Sequence, residues 1–108
     1  MENPMAAFLH TVHFWLKEGL SEQEKHAVLE GIRSLADSPN VAKVSVRVPA
    51  GTPRTVVDNS YDFQLVCEFD SAELHDAYQS PDDQVHQNFI KNYKDKWTRV
   101  LIYDSVRA

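Results

Sequence analysis

Apolar and polar positions alternate along this chain with two periods, and the switches between them mark out its elements. From Ala7 to Leu16 the run AFLHTVHFWL is rich in aromatic and β-branched residues and stops at Lys17-Glu18-Gly19, as a strand does. Alternation puts Phe8, His10, Val12, Phe14 and Leu16 on one face and Leu9, Thr11, His13 and Trp15 on the other. Both faces are largely apolar, so both need a cover. Ser21-Glu22-Gln23-Glu24 then has the form of a capping box, and Val28, Leu29, Ile32, Leu35 and Ala36 recur at helical spacing until Asp37-Ser38-Pro39-Asn40 ends the pattern.

Val41 to Val48 alternates Val44, Val46 and Val48 against Lys43, Ser45 and Arg47, which predicts a strand with one wet face. Pro49-Ala50-Gly51-Thr52-Pro53 forbids continuation, and the chain to Ser60 reads as a loop in which Val56 and Val57 are expected to pack. Tyr61 to Phe69 predicts a third strand with Tyr61, Phe63, Leu65, Cys67 and Phe69 toward the core. A short helix follows from Asp70 or Ser71 to Tyr78. After Pro81-Asp82-Asp83 a second one sets Val85, Phe89, Tyr93 and Trp97 at successive i, i+4 positions. Thr98 to Val106 closes the chain as a strand with Val100 and Ile102 on one face and Leu101 and Tyr103 on the other.

The predicted order is βαββααβ: an α+β, ferredoxin-like, four-stranded antiparallel sheet with its helices on one face. That arrangement leaves Leu9, Trp15, Val66, Leu101 and Tyr103 without a lid in a monomer. A two-fold dimer pressing sheet on sheet is the simplest cover, and a homodimer through the open face is expected.

The chain has 108 residues, 43% of them hydrophobic, enough for one core and a single domain over 1–108. Lys and Arg number 11 against 16 Asp and Glu, and the basic residues are scattered, so no nucleic-acid partner is expected. Cys67 is the lone cysteine, which removes intrachain disulfides from consideration. Met1-Glu2-Asn3-Pro4 has an acid and a proline where a secretory signal has bases and an apolar run, and no segment approaches a membrane span. A cytoplasmic location without membrane contact is the expectation.

His10 shares the helix-side face with Val12 and Phe14, so burial is expected; a neutral imidazole there can accept a proton near neutral pH. Cys67, on the inner face of its strand, is expected to be inert. Five histidines raise the question of a metal. His10 and His13 point to opposite faces of one strand, His26 and His75 fall on polar helix surfaces, and no paired-cysteine or H-E-x-x-H spacing occurs. Neither metal nor cofactor is expected. Three glycines without a phosphate-cradling pattern, and no G-x-S-x-G, argue against nucleotide binding and against an α/β-hydrolase.

HTVHFWLK near the start, SYDFQLVCEF in the third strand, AYQ followed by His86-x-x-Phe89, and the final W-x-x-V-L-I-Y-D-S together resemble the stress-responsive A/B barrel family. VPAGTPR-x-VVD-x-SYD resembles its bacterial members. The resemblance implies a dimer in which two ferredoxin-like sheets close into a barrel. It also implies a small pocket between sheet and helices, where a plant polyketide cyclase of the family uses a histidine pair. Carried over by position, the pair falls on His10 and His86, with Tyr78 as a hydroxyl beside them. One departure stands out: the usual H-P-x-H reads Ser80-Pro81-Asp82-Asp83-Gln84-Val85-His86 here, longer and without its first histidine. The implied pocket is expected to be lined by Val12, Phe14, Val28, Ile32, Phe63, Leu65, Cys67, Phe89 and Trp97, with Phe89 and Trp97 as a wall for a flat ligand. Two functions follow: a dimer that binds a small apolar or aromatic molecule without turnover, or a cofactor-independent lyase- or cyclase-like enzyme using the His10–His86 pair. The first is the leading expectation.

Overall fold

The computed structural model describes residues 7–108. The reading of Met1–Pro4, and the first six residues of the expected domain, lie outside the described residues. The observed elements are β1 (Phe8–Leu16), α1 (Glu22–Arg33), β2 (Lys43–Arg47), β3 (Phe63–Phe69), α2 (Ala72–Gln79), α3 (Gln84–Tyr93) and β4 (Trp97–Val106), with 3-10 turns at Ser34–Asp37 and Lys94–Lys96. This is the βαββααβ order that the pattern predicts. The strands form one antiparallel sheet in the order β2-β3-β1-β4.

Each helix starts where an oxygen-bearing side chain caps it. Ser21 Oγ accepts from the Glu24 amide at 3.0 Å while the Glu24 carboxylate accepts from the Ser21 amide at 3.1 Å, so α1 begins on a full capping box worth about 1 kcal/mol. Ser71 caps α2 and Asp83 caps α3. The core lies between the helices and the inner face of the sheet. Val12 and Phe14 of β1, Leu65, Cys67 and Phe69 of β3, Val28 and Ile32 of α1, Leu35, Tyr78 and Phe89 are all buried there. Gly31 lets α1 approach α3: a Cβ at this position would sit 2.5 Å from the ring of Tyr93.

Several boundaries differ from the sequence expectation. β2 is limited to residues 43–47, and Val48 lies beyond it, 64% exposed. Val56 is also exposed, while Val57 is half-buried. Tyr61 precedes β3 and turns to the open face, where its ring meets His13 at 4.9 Å. Asp62 explains the turn, since its amide donates to Phe14 O and its carboxylate accepts from the Leu16 amide, tying this corner to β1 before β3 proper begins. Trp97 starts β4 instead of extending α3, because the 3-10 turn at Lys94–Lys96 ends the helix first.

On the outer face, Leu9, Trp15, Val66 and Leu101 are half-buried and Tyr103 is exposed; among the described residues no helix is laid over them, and only loop side chains such as Asp58 and Tyr61 come beside them. Among the described residues no helix is long and apolar enough to cross a membrane.

Candidate functional site

The helices touch β4 at Trp97 and Asp104 but leave the middle of this edge strand uncovered. Val100 and Ile102 pair with Phe14 and Val12 and therefore face the helix side, yet they remain 40% and 47% exposed. The gap between them and α2 and α3 is a cleft of about 370 Å³, within the range of small-ligand sites. Val12, Phe14, Leu35, Leu65, Phe89, Trp97 and Ile102 give it apolar walls, and His10, Tyr78, Gln79, His86 and Gln87 supply its polar groups. Phe89 and Trp97 stack at 5.6 Å, and Phe14 meets both rings.

His10 is 3% exposed and is oriented by β4. Register places it opposite Asp104, and its Nδ1 lies 2.5 Å from Asp104 Oδ1. A carboxylate accepts, so Nδ1 carries the hydrogen and Nε2 is left as the basic nitrogen. His86 is fixed in the same sense by different partners. Its Nδ1 donates to the carbonyl oxygen of Tyr78 at 3.0 Å, and its ring stacks on the Tyr78 ring at 4.1 Å. The start of α3 is in turn held by Asp83, which accepts from the His86 amide at 2.9 Å and from Ser38 and Asn40 at 2.5 and 3.0 Å. The Ser80–Asp83 turn, closed by an Asp83 amide to Ser80 carbonyl bond, leads from α2 into α3 just before His86.

Burial holds His10 below the ordinary histidine value of 6.5, and the hydrogen bond and charge of Asp104 oppose that only in part. Burial likewise holds His86 below it, against the bond to Tyr78 and the charge of Asp83. Both rings are therefore neutral near pH 7. Tyr78 is buried and its phenol is pushed up, again by burial, so it stays protonated. Burial drives the Cys67 thiol up to about 12, which keeps it out of nucleophilic chemistry. Although burial pushes the Asp83 carboxyl up, the bonds from Ser38, the His86 amide and Asn40 outweigh it and hold the group below the usual carboxylate range.

Of the expected site residues, His10, Tyr78 and His86 meet on this cleft, as do Val12, Phe14, Leu65, Phe89 and Trp97. Val28, Ile32, Phe63 and Cys67 do not line it. The first two and Cys67 are 0% exposed in the core, and Phe63 packs against the core from its edge. They share the inner face of the sheet or α1, but the cleft opens on the β1–β4 side, away from them. His75 also departs from expectation. In place of a polar helix surface it lies between Phe8, stacked at 4.2 Å, and Phe69, with its ring 5.2 Å from that of His10. Sequence reasoning missed Asp104 and Asp83. Asp104 continues the alternation Val100, Ile102, Asp104, so the strand pattern does carry its face; which residue it opposes needs the register. A second depression of the same volume lies around Pro39, Ser80 and Asp83. Its buried carboxylate is already committed to capping α3 and to Ser38 and Asn40.

The family model of the stress responsive A/B barrel domain matches residues 8–107. Among curated proteins no sequence matches. Among solved structures, the hydroxynitrile lyase from Passiflora edulis is similar at 14% identity with a TM-score of 0.78, covering 97% of this chain and 96% of that one. A Dabb-family protein with a ferredoxin-like fold from Mesorhizobium loti is 23% identical with a TM-score of 0.72, covering 94% and 96%. A dimeric protein of unknown function with the same type of fold, from Bacteroides fragilis, is 17% identical with a TM-score of 0.69, covering 93% and 95%. At these identities the likeness establishes the fold.

Proposed function

This chain belongs to the stress responsive A/B barrel domain family, and on that premise we propose that it is a single-domain, cytoplasmic homodimer whose cleft takes a small apolar or aromatic carbonyl compound and moves a proton on it, in lyase- or cyclase-like chemistry. The observation that carries this reading is the matched state of His10 and His86: two neutral imidazoles on one apolar cleft, each with Nδ1 bonded to an oxygen acceptor and Nε2 left basic. One ring takes a proton from a hydroxyl or an activated carbon. The resulting imidazolium, or the other ring once protonated, returns a proton to the leaving or accepting atom. To Tyr78, which lines the cleft and is kept protonated by burial, this reading gives the role of donor to a carbonyl oxygen. A neighbour of the same fold is described as a hydroxynitrile lyase, and cleavage of a hydroxynitrile needs the same two events, deprotonation of the hydroxyl and protonation of the departing group. The proposed step draws on these side chains alone. The dimer forms through the open sheet face, where Leu9, Trp15, Val66, Leu101 and Tyr103 want a cover.

The test is a screen of aromatic aldehydes, their hydroxynitriles and enolisable polyketide-like carbonyl compounds. His10→Ala and His86→Ala are each expected to remove turnover while the fold persists. Turnover retained in both variants would overturn the acid–base reading. The aromatic wall of Phe14, Phe89 and Trp97 favours a second reading, binding without turnover. In that case no compound reacts, and Val12→Trp or Phe89→Ala alters affinity where the histidine variants do not.

A further inference from the structure

We propose that His10, His75 and Asp104 form a binding site for a divalent transition-metal ion of the zinc class, beside the cleft. Candidate ligand atoms of the three residues all lie within 4.8 Å of one another. His10 Nδ1 is 2.5 Å from Asp104 Oδ1, and His75 Nε2 is 3.8 Å from Asp104 Oδ2. Bonds of about 2.0–2.2 Å at tetrahedral angles put neighbouring ligand atoms about 3.3 Å apart, so the observed separations bracket what an ion needs. The Asp104 side chain, 41% exposed at the end of β4, has room to adjust.

His75 carries the argument beyond proximity. Its side chain is only 11% exposed, and Phe8 and Phe69 pack on it so that Nε2 is directed at the Asp104 carboxylate. Its other nitrogen, Nδ1, lies 3.5 Å from Asp76 Oδ1. The Asp76 carboxylate is 82% exposed and free to turn, so it can accept from Nδ1 once Nε2 ligates, which keeps the proton on the far nitrogen and raises the basicity of the ligating one. The amide of Gln79, 3.5 Å from Nε2, is a further polar neighbour and would give way to the ion. Two imidazoles and one carboxylate suit zinc, cobalt, nickel or copper and discriminate against magnesium and calcium. Three protein ligands leave a coordination position for water or a ligand.

Ligation through Nδ1 of His10 moves the ring proton to Nε2. On the acid–base reading of the cleft, a loaded metal site therefore takes His10 out of service as a base. The binding claim itself does not depend on that reading. Its test is isothermal titration of tag-free, chelator-stripped protein with zinc chloride. The expected result is one ion per chain, no heat with magnesium chloride, and an affinity at least about tenfold weaker in His75→Phe, which keeps the ring packed on Phe8 but removes the ligand. Asp104→Ala, at an exposed strand end, gives the same loss and stands in if His75→Phe does not fold. His26→Ala, an exposed surface histidine, leaves the affinity unchanged. No binding up to about 100 μM zinc, or equal affinity in a folded His75→Phe or Asp104→Ala, overturns the site.

Discussion

Gly31→Ala is a small change with a calculable sign. Within α1, alanine is a better helix former than glycine by about 0.8–1.0 kcal/mol, so propensity alone makes the variant more stable. The structure says otherwise. The new Cβ would stand 2.5 Å from Tyr93 Cε2 and 2.6 Å from Cζ, where ordinary contact is 3.4–4 Å. Tyr93 is half-buried, and its retreat is opposed on one side by Phe89, whose centroid is 5.7 Å away and which itself packs on Trp97 and Phe14. Overpacking of this kind costs about 1–3 kcal/mol, which leaves a net loss of about 1 kcal/mol after the helix gain. The assay is urea unfolding at one fixed protein concentration, run as a cycle with Tyr93→Ala. In that background the ring is gone, and Gly31→Ala should become stabilising by about 1 kcal/mol. A stabilising effect in both backgrounds would refute the idea that Gly31 lets α1 approach α3 by making room for Tyr93.

Other consequences follow from the same geometry. His10 and His86 are both held below their ordinary 6.5, so the native state binds fewer protons than the unfolded chain once pH drops through that value; stability should fall as pH falls below about 6.5, and a urea midpoint that is flat or rising from pH 7 to 5 would contradict this. Asp83→Ala removes the α3 cap and strands the buried Ser38 hydroxyl, and should cost about 1–3 kcal/mol in chemical denaturation. Phe89→Ala should cost about 3 kcal/mol, the low end for a buried phenylalanine because the cleft can admit water there. Sedimentation at micromolar concentration should give a dimer for the parent protein and a monomer for Leu101→Asp; a parent monomer would remove the reason for the apolar outer face.

The order of elements was legible because each carries its own periodicity and its own cap: Ser21 and Glu24 for α1, and alternating valines for β2. Ends were less so. Tyr61 fits the alternation of β3, but the bonds of Asp62 to β1 turn it to the other face. His10 could be placed on the inner face from alternation alone, whereas its partner Asp104 depends on how β1 and β4 are paired, a nonlocal fact no short pattern encodes. His75 misled for a related reason. A short helix with polar neighbours reads as surface, and only the aromatic rings of Phe8 and Phe69, brought from two strands, give its ring a place to be buried. The expected pocket was too wide because sharing an inner face does not mean bordering the same gap. Val28 and Ile32 of α1 and Cys67 of β3 are sealed in the core, and the cleft opens between α2, α3 and the uncovered middle of β4.

The state of the two cleft imidazoles is the central claim, and it can be measured without a substrate. Long-range proton–nitrogen correlation spectra of the histidine rings at pH 7 report which nitrogen of each carries hydrogen. The account predicts that His10 and His86 are both neutral with hydrogen on Nδ1 and a bare Nε2. Finding either ring as an imidazolium, or with its hydrogen on Nε2, would contradict it.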